Sequence, residues 1–320
     1  MLKYTLKRIL QAIPLLIIIS ILTYLIINLA PGDPTAFFIN PEKASRLGPD
    51  YVANIKHHLG LDQPLHIRYF KWLGNVLRGD FGESFFEQRS VMSILWEALP
   101  NTIILSLVAE LIALIVAIPA GIICALKRNS IWDYIFSTIS FIGMSLPTFW
   151  FGLMLILVFS LKLGWLPTAG MRDNFDAFVF TDRLRHIILP AIVLGMGGMA
   201  ANMRYMRGAM LEVIRQDYIR TARSKGLSEK VVIVKHALRN ALIPIVTMFG
   251  FSIPALFSGA AITETIFAWP GVGRIAIEAV FSNDYPLVMG NFMIIAVMTV
   301  VGSLVADLLY AVVDPRIKYE

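Results

Sequence analysis

Between two uncharged apolar runs the chain carries RYMRGAMLEVIRQDYIRTARSKGLSEKVVIVKHALRNA, residues Arg204–Ala241. Nine of these residues are Lys or Arg. Leu211, Ile214, Tyr218 and Ala222 recur at spacings of three and four, which predicts one apolar stripe on a helix, with Arg215, Arg220, Arg223 and Lys225 off it. Gly226 suits the left-handed residue that closes a helix. Ser228 is fitted to cap the next one, and Leu227 and Val232 stand where a hydrophobic staple would place them. The stretch reads as helix, glycine break, helix, returning into apolar sequence at Ala241. A plain solvated basic flank of a membrane helix accounts for the same charges.

The surroundings give that basic stretch its meaning. The chain has 320 residues, 57% of them hydrophobic and 16% charged, well away from the near-half apolar, quarter charged balance of soluble domains. A bilayer core of ~30 Å takes about 20 apolar residues as helix. Six runs are read as spans: Ile9–Ala30, Pro100–Leu126, Tyr134–Leu161, the shorter Ile187–Met203, Ala241–Ile262 and Leu287–Val313. The expected fold is an all-α integral membrane protein with six transmembrane helices and an extracytoplasmic insertion between the first two. Residues 1–99 form an N-terminal helix plus loop region, and 100–320 form a five-helix core containing the cytoplasmic segment 204–241. The first run is too long for a signal peptide and lacks a small-residue cleavage site. Prolines inside the runs are tolerated where neighbours re-satisfy the backbone. Gly197 with Ala201, and Ala255 with Gly259, suit close helix packing.

Charge sets the orientation. The net charge of +6 is explained by residues flanking the spans rather than by nucleic acid. Leaving out the long loop 31–99, sixteen Lys or Arg fall on the side holding both termini and the 204–241 segment, against five on the other. Positively charged flanks stay in the cytoplasm, so both ends are expected there. Loop 31–99 has seven basic and eight acidic residues. It opens with the turn sequence Pro31-Gly32-Asp33-Pro34. Within it Phe70, Leu73, Val76 and Leu77 predict an amphipathic helix over Leu65–Leu77, lying on the membrane or packed on the spans.

Little in the chain points to catalysis. Cys124 is the single cysteine, so neither an intrachain disulfide nor a cysteine metal site can form. His57 and His58 are adjacent and do not share a helix face; no metal ligand set is expected. H-E-x-x-H and G-x-S-x-G are absent. No Gly-Lys dipeptide occurs, which excludes a Walker A loop. Ionisable residues inside spans are functional candidates. Glu110, in the second run, is a candidate for the transport pathway or a hydrogen-bonded packing residue. Glu264, at the outer end of the fifth, is a candidate for a gate or receptor contact or for a structural role. Asp307 fits pairing with a basic flank residue. A secondary transporter or channel is the rival reading from another class, although no internal repeat is visible.

Tyr218-Ile219-Arg220-Thr221-Ala222-Arg223-Ser224-Lys225-Gly226-Leu227, with His236-Ala237-Leu238-Arg239-Asn240-Ala241, resembles the E-A-A-x3-G-x9-I-x-L-P signature of type I ABC importer permeases. Gly226, Ala222 and Leu238 match the pattern. Arg220, Thr221, His236 and Arg239 depart from it in the manner of the oligopeptide/dipeptide/nickel class. Pro31-Gly32-Asp33-Pro34, Leu59-Gly60-Leu61-Asp62-Gln63-Pro64, Gly79-Asp80-Phe81-Gly82, Gly164-Trp165-Leu166-Pro167, Phe267-Ala268-Trp269-Pro270-Gly271-Val272-Gly273 and Asp314-Pro315-Arg316-Ile317 are similar to the same class. The long loop after span one looks like the B-type of its two permease subunits.

The resemblance implies a permease subunit of a peptide importer in a prokaryotic cell membrane, paired with a second homologous permease. It implies two cytoplasmic ATPase subunits, which carry ATP and Mg, and an extracytoplasmic solute-binding protein; this chain itself would bind no cofactor. Nickel, glutathione or another small solute is the alternative cargo. Tyr218, Ile219, Arg220, Thr221, Ala222, Arg223, Lys225, Gly226 and Leu227 would form the coupling helix. Its apolar residues would seat in the ATPase, and Arg220, Arg223 and Lys225 would orient it. Gly226→Asp is expected to abolish transport without preventing assembly.

Overall fold

The computed structural model describes residues 2–29, 62–173, 179–252, 254 and 260–313. The Pro31–Pro34 turn, His57, His58, Leu59-Gly60-Leu61, Ala255, Gly259 and Asp314–Ile317 lie outside the described residues. Within them the chain is helical, with one isolated bridge between Glu83 and Ser90. Helices α1 (Leu2–Leu29), α2 (Leu65–Val76), α3 (Val91–Leu126) and α4 (Ile131–Ser145) are followed by α5 (Thr148–Leu155), which continues as π-helical Ile156–Lys162. Next come α6 (Phe180–Val213), α7 (Asp217–Ser224) and α8 (Glu229–Val231), the last running into π-helical Val232–Ala237. Helices α9 (Leu238–Ala241), α10 (Ile243–Ser252), α11 (Ala261–Ile266), α12 (Val272–Phe281) and α13 (Tyr285–Val313) complete the order.

Among the described residues four helices are long and apolar enough to cross a membrane: within α1 from Arg8, α3, α6, and α13 as far as Asp307. The third expected span is not one straight helix. It breaks between α4 and α5, and its two halves meet at 108°. The cause is Pro147, which biases the preceding residue to extended backbone; Leu146 sits at φ −73°, ψ 132°. Counted as one span, the pair makes five. The expected Ala241–Ile262 span is represented by α9, α10 and the start of α11. Large apolar side chains such as Ile9, Leu10, Ile26, Ile115 and Ile139 stand exposed around these helices, a surface suited to lipid.

The core of the bundle is the α3–α6 pair, held together by small residues. A Cβ added to Gly195 would lie 2.5 Å from the Ala109 carbonyl oxygen, and one on Gly121 2.7 Å from Met206 Cβ. The contact does not pass through Gly197, as the sequence suggested; a Cβ there meets nothing within 4 Å. Two residues along a helix is about 200° of rotation, so Gly195 and Gly197 face opposite ways.

Helix α2 packs on α1 by a face rotated from the expected one, although Val76 of the expected stripe still packs against the core. Tyr69 and Trp72 approach Tyr24 with ring centroids 5.5 and 5.4 Å away. Ser20 Oγ and Tyr69 Oη are hydrogen-bonded at 2.8 Å, and Arg68 donates to Asn28 Oδ1 at 2.7 Å. Phe70 and Leu77 instead stay exposed. Arg8 pairs with Asp307 at 3.1 Å, joining α1 to α13. Val91, Ile94 and Leu95, early in α3, pack with Leu287 and Val288, early in α13. These two helices therefore run the same way, and the Arg8–Asp307 clasp falls toward the end of the bundle where α3 terminates.

Candidate functional site

The basic stretch folds at that same end of the bundle. Helix α6 stops at Val213, and residues 214–216 turn before α7 begins. The stripe from Leu211 to Ala222 is thus split between two helices. On α7, Ile219 (0% exposed) and Ala222 (6%) are buried against Met206 and Met210 of α6, Ala125 of α3, and Val232 and Ala237 of the π-helical turn. Of the apolar residues expected to reach a partner, Ile219 and Ala222 are consumed inside this chain, because a helix of eight residues stays folded only when an apolar face is covered.

Most of what faces outward is polar, with Tyr218 and Leu227 as exposed apolar side chains. Arg220 is exposed, 4.0 Å from Asp217. Thr221 Oγ1 bonds back to the Asp217 carbonyl at 2.9 Å. Tyr218 is exposed at its edge and accepts from Asn240 Nδ2 at 2.8 Å, which fixes α7 to α9. Arg223 donates to Glu229 Oε1 at 2.7 Å across the break. The break is a Schellman closure: Leu227 N–H bonds to the Ala222 carbonyl, Gly226 N–H to that of Arg223, and Gly226 has φ +76°. Lys225, Gly226 and Leu227 are exposed at its tip, and a Cβ on Gly226 meets nothing within 4 Å. Ser228 occupies the N-cap position of α8 without a side-chain cap bond.

Arg207, on the same turn of α6 as Met206, forms a two-pronged bond with Asp133, 2.9 Å from Nε to Oδ1 and 2.8 Å from Nη2 to Oδ2. Asn129 N–H adds a third bond to the carboxylate at 3.0 Å. The last turns of α6 are thereby fixed to the α3–α4 connection on one side and carry α7 on the other. No local pattern marks a pair 74 residues apart; the one legible signal is Asp133 in the first turn after Ser130, which caps α4.

Glu110 is half-buried on α3. It faces the buried Asn202 of α6 and lies beside Gly198. Glu264 is 0% exposed. Its carboxylate accepts from Thr102 Oγ1 at 2.8 Å, Arg274 N–H at 2.9 Å and Ala260 N–H at 3.4 Å. Trp269 Nε1 donates to the Asn101 carbonyl at 3.0 Å, and Thr102 also accepts from Val272 N–H at 2.9 Å. Glu264 is enclosed by this chain's own residues. At the far end of α6, Asp173, Asp182 and His186 form a cluster that sequence reading passed over; its signal was Asp182 and His186 at i, i+4.

Long apolar helices around a small-residue seam, with a polar turn presented at one end, define a membrane-embedded subunit built to work with other chains. Residues 117–319 match the family described as binding-protein-dependent transport system inner membrane component, and residues 1–106 match its N-terminal region. The chain belongs to this family, whose members are transport subunits and not enzymes. It is 44% identical over 320 residues to the oligopeptide transport system permease protein AppB of Bacillus subtilis, covering all of both chains. It is 40% identical over 338 residues to the di/tripeptide transport system permease protein DppB of Pseudomonas aeruginosa, again covering both fully. To the glutathione transport system permease protein GsiC of Escherichia coli K12 it is 38% identical over 320 residues, with full cover of both. Among solved structures, an inward-facing form of the MetNI methionine ABC transporter aligns with TM-score 0.54 and 19% identity, covering 70% of this chain and 97% of that one. The fold is thus that of a type I ABC importer permease.

Proposed function

We propose that this chain is the B-type permease subunit of an ATP-driven importer for di- and oligopeptides, forming half of the translocation pathway. The observation that carries the coupling is α7. It is a short helix anchored from beneath by Ile219 and Ala222, and it holds Arg220, Thr221, Lys225 and Gly226 outward. A rigidly seated polar turn can transmit force from cytoplasmic ATPases to the α3–α6 core, the rigid-body switching by which packed bundles alternate access. On this reading ATP and Mg belong to two ATPase partners. A second homologous permease completes the pathway, and an extracytoplasmic solute-binding protein delivers cargo.

The reading places the chain in the bilayer of a prokaryotic cytoplasmic membrane, with six spans, both termini cytoplasmic and an external insertion after α1. The division into 1–99 and 100–320 belongs to it too. The full-length likeness to permeases named for oligopeptides and di/tripeptides supports the cargo. The likeness to the glutathione permease supports a second cargo of the same chemical kind. Glu110, beside Asn202 on the α3–α6 seam, is the proposed pathway residue on this chain. Glu264, enclosed by donors of its own chain, is better explained as an anchor.

The test is reconstitution of this chain with its partner permease, ATPases and binding protein in proteoliposomes, followed by uptake of labelled dipeptide, oligopeptide and glutathione. ATP-dependent, binding-protein-dependent peptide uptake is the expected result. Uptake by this chain alone on an ion gradient overturns the reading.

A further inference from the structure

The cluster at the start of α6 has an arrangement that its carboxylates alone do not account for. Asp182 lies in the first turn of α6, and its Oδ2 accepts the Asp173 amide at 2.9 Å, tying the loop after α5 to the helix. One turn on, His186 has a side chain only 1% exposed. Its Nδ1 sits 2.9 Å from the Asp182 carbonyl oxygen and 3.2 Å from Asp182 Oδ1. Both neighbours are acceptors, so Nδ1 is the donor on that side and Nε2 has to find a partner of its own. Nε2 is buried without a hydrogen bond. It lies 3.4 Å from Asp173 Oδ1, another acceptor. A ring nitrogen and a carboxylate oxygen facing each other at this distance call for a proton or a cation between them.

We infer that Asp173, Asp182 and His186 form a binding site for a first-row divalent cation of the Zn2+ type. Each residue offers one ligand atom, and the three atoms lie within 4.8 Å of one another. Tetrahedral ligands at about 2.0–2.1 Å from zinc are about 3.4 Å apart, which is the His186–Asp173 separation. The Nδ1–H bond to a backbone carbonyl is the outer support that orients metal-ligating imidazoles. An imidazole with two carboxylates selects a borderline metal over Mg2+ or Ca2+, which prefer all-oxygen sets. Asp173 is 78% exposed, giving an entry path and room for a water as fourth ligand. A bound cation would clip the loop after α5 to α6 at the end of that helix opposite α7.

The experiment uses the complete transporter, purified in detergent with a histidine-free tag and dialysed against Zn2+. Bound metal and thermal unfolding are compared with Asp173→Asn and His186→Gln. Asp173 is exposed, so its variant retains the fold and serves as the control if His186→Gln fails to assemble. The expected result is one more zinc per copy of this chain in the wild type than in Asp173→Asn. Affinity should fall at least tenfold in either variant, and a zinc-dependent rise in unfolding temperature should vanish in Asp173→Asn. Equal zinc content in the wild type and Asp173→Asn overturns the site. So does stability that responds to pH between 5 and 8 but not to zinc, which would mean that a proton shared by His186 and Asp173 does the bridging.

Discussion

Two of the hydrophilic regions between the apolar helices treat their polar groups in opposite ways. Around α7 the charged side chains face out and the apolar ones, Ile219 and Ala222, face in. Between α11 and α13 the polar groups turn inward. Glu264, Asp284 and Asn291 are all at most 1% exposed, while Phe281 stands at 84%. Asp284 bonds Ser84 Oγ and the Phe86 and Leu287 amides, and Asn291 donates to the Val272 carbonyl at 2.8 Å. The charges of the inner region are satisfied within the chain and hold its shape. Those of α7 leave the chain's own stability largely alone and remain available to something else.

The comparison breaks most visibly at Glu264. Glu264→Ala strips partners from Thr102 Oγ1 and the Arg274 and Ala260 amides inside a closed interior. Unmet buried groups cost about 1–3 kcal/mol each, so a loss of roughly 3 kcal/mol or more is expected, read as low membrane abundance and a lowered unfolding temperature. Next is Ile219→Ala, which removes the anchor beneath α7. An emptied buried site of this type costs about 2–5 kcal/mol; denaturation of the purified chain should register it even when ATPases are absent.

Gly226→Asp is a smaller structural insult. There is space for the side chain, and the penalty is that of a non-glycine residue at φ +76°, about 1 kcal/mol. The complex should assemble with nearly normal melting yet show no ATP-dependent uptake; normal uptake would remove the segment from coupling. The smallest effect on stability is predicted for Arg220→Ala, whose side chain is 82% exposed. Stability should stay within about 0.5 kcal/mol of the parent, while uptake falls and ATPase activity becomes less responsive to binding protein. If Arg220→Ala instead melts early, the outward assignment of that face is wrong.

The sequence made some of this legible and hid the rest for identifiable reasons. Apolar runs reveal membrane helices because nothing else tolerates them, and the Gly226 break was readable from one residue's backbone freedom. The direction of α7 was not. Its stripe was drawn through Leu211 and Ile214 as though α6 and α7 were one helix, and the turn at 214–216 rotates the face. The kink at Pro147 was visible as a proline, but its 108° was not, because prolines such as Pro100 and Pro119 sit inside an unbroken α3. The Arg207–Asp133 pair and the Glu264 anchor depend on contacts between distant segments, which spacing along the chain does not encode.

The π-helical stretch Val232–Ala237 has a further consequence. A π turn accommodates an extra residue relative to an α turn, so side chains downstream are out of phase with those upstream. Here the phase slip falls between the glycine-closed tip of the basic stretch and the helices α9 and α10 that return to the bundle. The angle at which α7 is offered to its surroundings is therefore set by a count of residues as well as by their chemistry. Deleting one residue from Val232–Ala237 would restore α phase and swing that tip around the helix axis, although each side chain on the outward face of α7 would be unchanged.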